Sequence, residues 1–397
     1  MRGKLKLASN PKAMVRRLTL AAMAFLCSTA IVLLFTPAEA QNYDYREDDP
    51  DLLFAEVYGR LGITIPERVA RDSTIWLSLD ILRREPCDQK AVDKLADALD
   101  KYGYRRQAAD SLSNFVRKCG GPATALHKSV DIFLKLYDYG RAVEVADDFI
   151  RIAPTNYDAW YLRGVATDGL GNHQYAVTDF ANAIELFAYD RKSISSNVFT
   201  NMAKAYAGLG QFCEAMSSIQ TWVALDPVAR DNVRSQRIVA DYAEKGSCNK
   251  SLRASKERFP LRGQARVVVV KAELNGVKGT FILDTGASYV SVTSGFATRA
   301  KMSQPEHSLI QLQTANGKTP AILTNADSIK LGSLESKSVP VVVLQKADAL
   351  GKEYDGLLGM SFLSQFEIQM ANGFIEVRTR GAAKLPSTPT PPTTRGR

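Results

Sequence analysis

Alanine recurs at a nearly constant interval in the first half of the chain, and this interval restricts the fold more than any other sequence feature. Ala108, Ala142 and Ala176 are 34 residues apart, and Ala215 follows after 39. A period of this length is typical of stacked units of two helices, in which small residues let the paired helices approach. The interval therefore predicts an array of helical hairpins over residues 89–227, with about five extra residues near 189–195.

The third and fourth units carry the fullest signature of aromatic and small residues. The signature positions are Trp160, Gly164, Leu170, Gly171, Ala176, Phe180 and Ala183, then Phe199, Ala203, Tyr206, Leu209, Gly210, Ala215 and Pro227. On these residues the region resembles four tetratricopeptide repeats, of which the first two are degenerate. The resemblance implies an all-α solenoid that serves as a binding or dimerisation surface. Helical patterns at 52–84 and 233–244 predict an N-terminal cap and a closing helix, so we assign a helical domain to residues 41–248.

The N-terminus has the pattern of an export signal. A basic stretch ends at Arg16-Arg17, the uncharged run 18–35 follows, and Ala38-Glu39-Ala40 has the small-x-small pattern of a cleavage site. We expect residues 1–40 to be a signal peptide that is cleaved after Ala40, which leaves a soluble protein. The alternative is an uncleaved membrane anchor formed by residues 18–35. Both predict a location outside the cytosol, in the periplasm.

The net charge of +9 is located largely in this N-terminal segment. Without the first 40 residues the excess of Lys and Arg over Asp and Glu falls to +4. A basic patch for nucleic acid is therefore not indicated, and we expect no nucleic-acid partner.

Four cysteines remain after the signal, and none has the CxxC spacing of a zinc site. Cys87 precedes the first helix of a predicted hairpin and Cys119 ends its second helix, so the two ends should meet. By the same reasoning, Cys213 opens the last second helix and Cys248 ends the helix that packs along it. We predict disulfides 87–119 and 213–248, as an exported protein permits. The alternative is four buried thiols, because sequence alone does not fix connectivity.

The composition changes after residue 248. Residues 249–263 are basic and lack a helical period, so we assign them to a linker. From residue 264 β-branched runs alternate with three Asn-Gly pairs, at 275–276, 316–317 and 372–373, each of which accepts a type I′ hairpin turn. This pattern predicts an all-β domain over 264–380. The Pro- and Thr-rich tail 381–397 cannot bury enough apolar surface to fold, and we expect it to be disordered.

One loop in the β-domain carries candidate chemistry. Asp284-Thr285-Gly286 directly follows the apolar run Phe281-Ile282-Leu283. A carboxylate at the end of an apolar strand is costly unless the loop satisfies it, and Gly286 can offer a free backbone N–H. Alone, this tripeptide also occurs in turns by chance, so an incidental loop in a β-domain is the alternative.

Two further elements follow the loop in order: a predicted hairpin tip at 314–317, and Leu357-Leu358-Gly359 before a short helix. On these three elements, residues 264–380 resemble the retropepsins, the retroviral-type aspartic proteases. The resemblance implies that Asp284 is the catalytic acid and base, that Thr285 braces two loops across a dimer, and that Gly286 lines the floor of the site. It further implies substrate contacts for Ala287, Ser288, Thr314, Ala315, Asn316 and Gly317, and structural support from Leu357, Leu358 and Gly359.

The resemblance also implies a homodimer formed through the protease domain, because the chain has one Asp-Thr-Gly loop where pepsin-like chains have two. We therefore expect an exported aspartic endopeptidase that needs no metal or cofactor and cleaves a protein or peptide substrate. The helical repeats would recruit that substrate or a protein partner. The alternative is a non-catalytic scaffold, in which the β-domain is a dimerisation module and the repeats bind partners. Activation by self-cleavage within 249–263 is compatible with the protease interpretation.

Overall fold

The computed structural model describes residues 49–187, 190–248, 255–260, 267–314, 317–346, 350–351, 353–371 and 373–379. The predicted signal peptide 1–40 and the tail 381–397 lie outside these residues. In the first half of the chain the helices are α1 (Pro50–Leu53), α2 (Ala55–Leu61), α3 (Glu67–Ala70), α4 (Ser73–Arg84), α5 (Gln89–Lys101), α6 (Arg105–Cys119), α7 (Ala123–Lys135), α8 (Tyr139–Ile152), α9 (Tyr157–Gly169), α10 (His173–Leu186), α11 (Ser196–Gly208), α12 (Phe212–Leu225), α13 (Pro227–Arg230) and α14 (Val233–Lys245).

Helices α5 to α12 form four consecutive helical hairpins, as the alanine interval predicts. Successive helices contact one another along the array, and α14 packs along α12 as the closing helix. Gly164 shows why small residues are needed here: a Cβ at this position would lie 2.7 Å from a ring carbon of Phe180 in the neighbouring helix. Short polar side chains begin several helices, with Asp88 and Asp138 accepting backbone N–H bonds of α5 and α8.

Both predicted disulfides are present. Cys87 and Cys119 are bonded with their Cα atoms 5.4 Å apart, and Cys213 and Cys248 with theirs 5.6 Å apart. Each bond ties together helix ends that lie side by side, which is the geometry that the hairpin argument requires.

The second half of the chain is predominantly β. Its strands and helices are β1 (Lys256–Pro260), β2 (Val268–Leu274), β3 (Val277–Leu283), β4 (Val290–Thr293), α15 (Ser294–Arg299), β5 (Leu309–Thr314), β6 (Gly317–Leu331), β7 (Leu334–Leu344), β8 (Gly356–Leu358), α16 (Met360–Leu363), β9 (Phe366–Ala371) and β10 (Phe374–Thr379). Seven strands form a sheet in the order β2-β3-β8-β4-β7-β6-β5, and β2 also pairs with β6, so that the sheet closes on itself. A helical array followed by a closed β-sheet confirms the predicted fold class.

All three Asn-Gly pairs separate antiparallel partners, namely β2–β3, β5–β6 and β9–β10. At the first turn Asn275 and Gly276 have φ of 47° and 81°, the left-handed values that this turn needs. Asn316 and Asn372 themselves lie outside the described residues.

The predicted linker 249–263 needs a correction. Residues 256–260 form β1, which pairs with β10 in a three-stranded sheet of order β1-β10-β9. The charges of Lys256 and Arg258 made this segment look like a connector, but their side chains alternate with partly buried ones along an edge strand. The segment therefore belongs to the β-domain.

The two domains share an apolar core. One buried cluster contains Phe180, Phe199 and Tyr206 from the helices together with Ile310 and Val342 from the sheet. The main contacts are made by α10 with β5 and by α12 with β7 and α16. The described residues accordingly belong to one compact unit. Within them, no helix combines the length and the apolar character needed to cross a bilayer.

Glu214 provides a test of how the buried part of α12 responds to pH. Burial raises the pKa of Glu214 to about 7, against an ordinary value of about 4.3 for the unfolded chain. The folded state therefore binds the proton more tightly, and the free energy of unfolding should fall as the pH rises from about 4.3 to 7. Glu214→Gln cannot lose a proton at this position and so lacks this loss. Its melting temperature should therefore exceed that of the wild type by a difference that grows toward pH 8. The difference should be roughly 2–4 °C for each kcal/mol of unfolding free energy that the wild type loses.

The matched control is Glu244→Gln at an exposed position of α14. Its melting temperature should follow the wild-type pH profile. A constant difference between Glu214→Gln and wild type from pH 4 to 8 would contradict the assignment.

Candidate active site

The loop 284–287 lies where β3 leaves the sheet. β3 runs parallel to β8, with Ile282 opposite Leu357 and Leu283 opposite Leu358. The backbone N–H of Asp284 donates to the carbonyl of Leu358 at 3.0 Å, so the strand pairing continues into the loop. Asp284 is thereby held at the end of a paired strand, while the next two residues turn outward.

The Asp284 carboxylate is held by its own loop. Its Oδ1 accepts the backbone N–H of Gly286 at 2.8 Å, which is the bond that an Asp-x-Gly turn makes available. Asp284 is partly exposed, and Thr285 and Gly286 are exposed. The loop therefore presents one oriented carboxylate to the surface, which is the requirement for a group that must exchange protons with a substrate.

Gly359 lets the segment before α16 lie directly against this loop. A Cβ at Gly359 would lie 2.1 Å from the carbonyl oxygen of Tyr289 and 2.8 Å from that of Ala287. With no side chain there, Met360 N–H donates to Ala287 at 2.8 Å and Ser361 N–H to Ser288 at 2.9 Å. Two backbone segments, 284–289 and 357–361, are thus held together, with Leu357, Leu358 and Gly359 in the second.

The Ser361 hydroxyl extends this support. It accepts the N–H of Val290 at 2.9 Å and donates to the carbonyl of Pro340 at 2.7 Å. These bonds connect the loop's exit strand β4 to β7. The sequence analysis does not assign a role to Ser361, and its place two residues after Gly359 is the available signal.

The predicted flap is a hairpin of β5 and β6. Thr314 pairs with Gly317 at its end, and the Thr314 hydroxyl donates to the Gly317 carbonyl at 2.7 Å. Ala315 and Asn316, the other predicted flap residues, lie outside the described residues. Thr314 and Gly317 therefore lie together at the end of the β5–β6 hairpin. In the sequence they follow the Asp284 loop as a separate element.

Ser288 lies differently from the role that the resemblance implies. Its side chain is 7% exposed, and its hydroxyl oxygen accepts a hydrogen bond from Arg191 of the helical domain. Arg191 belongs to the short 3-10 helix Arg191–Ser193, within the extra residues of the repeat array. The side chain of Ser288 therefore connects the candidate site to the helices.

A groove of about 990 Å³ adjoins the loop on its exposed side. Thr285, Met360 and Phe366 line it from the β-domain, and Val223 and Val239 line it from α12 and α14. The edge strand β9 forms part of the same wall. The outward face of the Asp284 loop is thus next to an open surface shared by both domains.

Among the described residues no group of three His, Cys, Asp or Glu is placed to hold a metal ion.

Comparison with known proteins agrees with the geometry of this loop. Residues 270–362, which include β3, the flap strands and the Gly359 segment, match the model of the aspartyl protease family. This match confirms the resemblance for that part of the chain. No curated protein matches the chain significantly.

Several solved structures are similar to parts of the chain. A retropepsin-like aspartic protease from Rickettsia conorii is 25% identical, over 32% of this chain and 94% of its own, with a TM-score of 0.26. MamA from Desulfovibrio magneticus RS-1 is 18% identical, over 46% of this chain and 98% of its own, with a TM-score of 0.33.

Replacing Gly359 with alanine should disrupt the loop. The added Cβ would overlap carbonyl oxygens of the backbone, which cannot move aside as a flexible side chain can. We expect the free energy of unfolding to fall by about 3 kcal/mol or more, measured by denaturant titration. Gly295→Ala in α15 is the matched control, because nothing lies within 4 Å of its new Cβ. Equal stability of the two variants would contradict the close contact at Gly359.

Proposed function

We propose that the protein is an aspartic endopeptidase whose active site contains Asp284 from each of two chains. The observation that carries the proposal is the Asp284 carboxylate, which is partly exposed, oriented by Gly286 N–H, and held in a loop bonded to the Gly359 segment. The match of residues 270–362 to the aspartyl protease family supports the same chemistry.

Two Asp284 carboxylates would share one proton, because like charges about 3 Å apart cannot both ionise. The ionised carboxylate takes a proton from a water held between the two groups, and this water attacks the peptide carbonyl. The protonated carboxyl donates to the carbonyl oxygen, and a proton is then delivered to the departing amine. Gly286 N–H holds Asp284 in position throughout.

A second chain would bind to the exposed face of the loop and place its own Asp284 next to the first. Thr285 is exposed on that face, next to the groove between β9 and α14. A two-fold axis through this point would place Thr285 and Asp284 of one chain against their counterparts. Ala287 and the flap residues Thr314 and Gly317 would then border the peptide.

The helical repeats would recruit the substrate or a protein partner. Their main contacts with the β-domain are made by the second helices α10 and α12. The first helices α7, α9 and α11 contact one another and form a continuous surface of the array. Such surfaces bind extended partners in solenoid proteins.

Export to the periplasm is part of this proposal. Two disulfides link the described residues, and such bonds form and persist in oxidising compartments. The basic and apolar residues 1–40 would supply the signal.

Asp284→Asn should abolish hydrolysis of an unfolded protein substrate while leaving the fold intact, because the amide cannot act as a base. The measurement is release of new N-termini by the full chain. The matched control is Asp327→Asn on β6, an exposed aspartate far along the chain from the loop, which should retain full activity. Equal turnover by Asp284→Asn and wild type would refute the protease proposal and favour a dimerisation module without activity.

Subunit mixing tests whether the site is shared. If each active site needs two Asp284 side chains, an equimolar re-equilibrated mixture of wild type and Asp284→Asn contains about one quarter wild-type dimers. Activity per total chain should then fall to about a quarter of the pure wild-type value, whereas independent sites would leave about half. Mixing with Asp327→Asn, as the control, should leave the activity unchanged. A half-maximal result with Asp284→Asn would contradict the shared site.

A further inference from the structure

The helical domain reaches both parts of the candidate site through specific polar contacts. α10 lies against β5, the first strand of the flap, and the residues that follow α10 reach the Asp284 loop. These contacts are set within the apolar cluster that the two domains share. The helices therefore do more than adjoin the protease-like domain.

The side chain of Asn182 in α10 forms hydrogen bonds with the edge of β5 that has no neighbouring strand. β5 is the last strand of the seven-stranded sheet, so its outward backbone groups lack a neighbouring strand. The Asn182 side chain is fully buried, and its Oδ1 accepts the N–H of Gln311 at 2.9 Å. Its Nδ2 donates to the carbonyl of Leu309 at 3.4 Å. One carboxamide thus bonds the same donor and acceptor that a further strand would bond.

This contact divides the flap strand into two parts. Leu309 and Gln311 are held against α10, whereas Gln313 and Thr314 lie beyond the contact, toward the hairpin end. Removing the Asn182 side chain would leave a partly buried backbone N–H and C=O of β5 without this partner, which is unfavourable. The position from which the flap can bend is therefore set by a residue of the helical domain.

Arg191 makes the second contact. It donates to the hydroxyl of Ser288, four residues after Asp284, and its other terminal nitrogen lies 3.5 Å from Glu185 near the end of α10. Arg191 lies in the residues that lengthen the repeat interval from 34 to 39. The extra residues thus bring a cation from the helices to the catalytic loop.

We propose that Asn182 and Arg191 are positioning residues of the peptidase, with Asn182 fixing the base of the flap and Arg191 fixing the loop that carries Asp284. The inference rests on the proposed function for its catalytic consequences, but its structural content does not depend on activity. The helical repeats are on this view part of the active-site framework, in addition to any role in recruitment.

The test uses the full chain and measures hydrogen exchange alongside kinetics. Asn182→Leu keeps the branched shape of the side chain but removes its hydrogen bonds to β5 and its bond to the carbonyl of Thr178 within α10. Amide exchange in segment 309–314 should then accelerate about tenfold. Exchange in β7 and the melting of the helical array should stay near wild type. Because the flap contacts substrate, KM should rise several-fold with a smaller change in kcat.

Asn201→Leu is the matched control, because the Asn201 side chain in α11 donates to the Tyr161 hydroxyl within the helical domain and, among the described residues, has no hydrogen bond to the β-domain. It should leave exchange in segment 309–314 unchanged. Asn182→Ser provides a second variant that retains a polar group but is too short to bond both backbone groups, and it should show the same local acceleration. Unchanged exchange at 309–314, or acceleration spread over the whole chain in both Asn182 variants, would overturn the assignment.

Arg191 is tested by the same measurements. In Arg191→Met, exchange in segment 284–290 should accelerate and kcat should fall several-fold, with KM changed less. Arg191→Lys should restore part of both, and Lys192→Met at the exposed neighbouring position should match wild type. If Arg191→Met leaves exchange in 284–290 unchanged, the positioning role is wrong. If the exchange results hold but wild type shows no hydrolysis, the framework stands and the proposed peptidase function fails.

Discussion

The fold depends on the apolar interface between the helical array and the β-sheet. A helical hairpin in a stacked array buries one face only by stacking on a neighbour, and the last hairpins of this array stack on a β-sheet as well as on helices. Phe180 and Tyr206 are completely or almost completely buried in that interface, together with Val342 from β7. Because packed interiors do not tolerate gaps, this cluster fixes the sheet relative to the last two hairpins. The polar contacts between the two domains depend on this placement of the sheet against the helices.

Backbone contacts hold the turn that carries Asp284, and side chains add support at its exit. The Asp284 carboxylate is bonded by Gly286 N–H, and the loop is fastened to the Gly359 segment through carbonyls of Ala287 and Ser288. Such contacts require glycine at the crossing, since even one carbon atom at Gly359 would overlap the loop. This explains how a small domain can hold a partly exposed carboxylate in one orientation.

The helical domain adds a second layer of support at both ends of the site. Asn182 supplies the hydrogen-bonding groups of a missing strand, and Ser217 in α12 donates to the carbonyl of Ser361 at 3.0 Å. Ser361 in turn links β4 and β7 behind the loop. A chain of hydrogen bonds therefore runs from the repeats to the candidate site, which gives the repeats a structural role distinct from partner binding.

By itself the sequence determined the parts that depend on local spacing. The alanine interval defined the helical hairpins, the hairpins brought Cys87 to Cys119 and Cys213 to Cys248, and Asn-Gly pairs marked the β-turns. The Asp284 motif and the Gly359 segment were recognisable because the contacts they make constrain which residues can occupy them. Periodicity did not reveal β1, because its pairing with β10 joins residues more than a hundred positions apart.

Tertiary structure alone decided how the domains meet. The sequence shows a polar Asn182 between two alanines of α10 and a repeat lengthened by five residues, but neither feature identifies the residue it contacts. The contacts from Asn182 to Gln311 and from Arg191 to Ser288 span 129 and 97 residues. Such contacts form only when the folded helical array packs against the folded β-domain. The spacing of residues along the sequence therefore does not predict them.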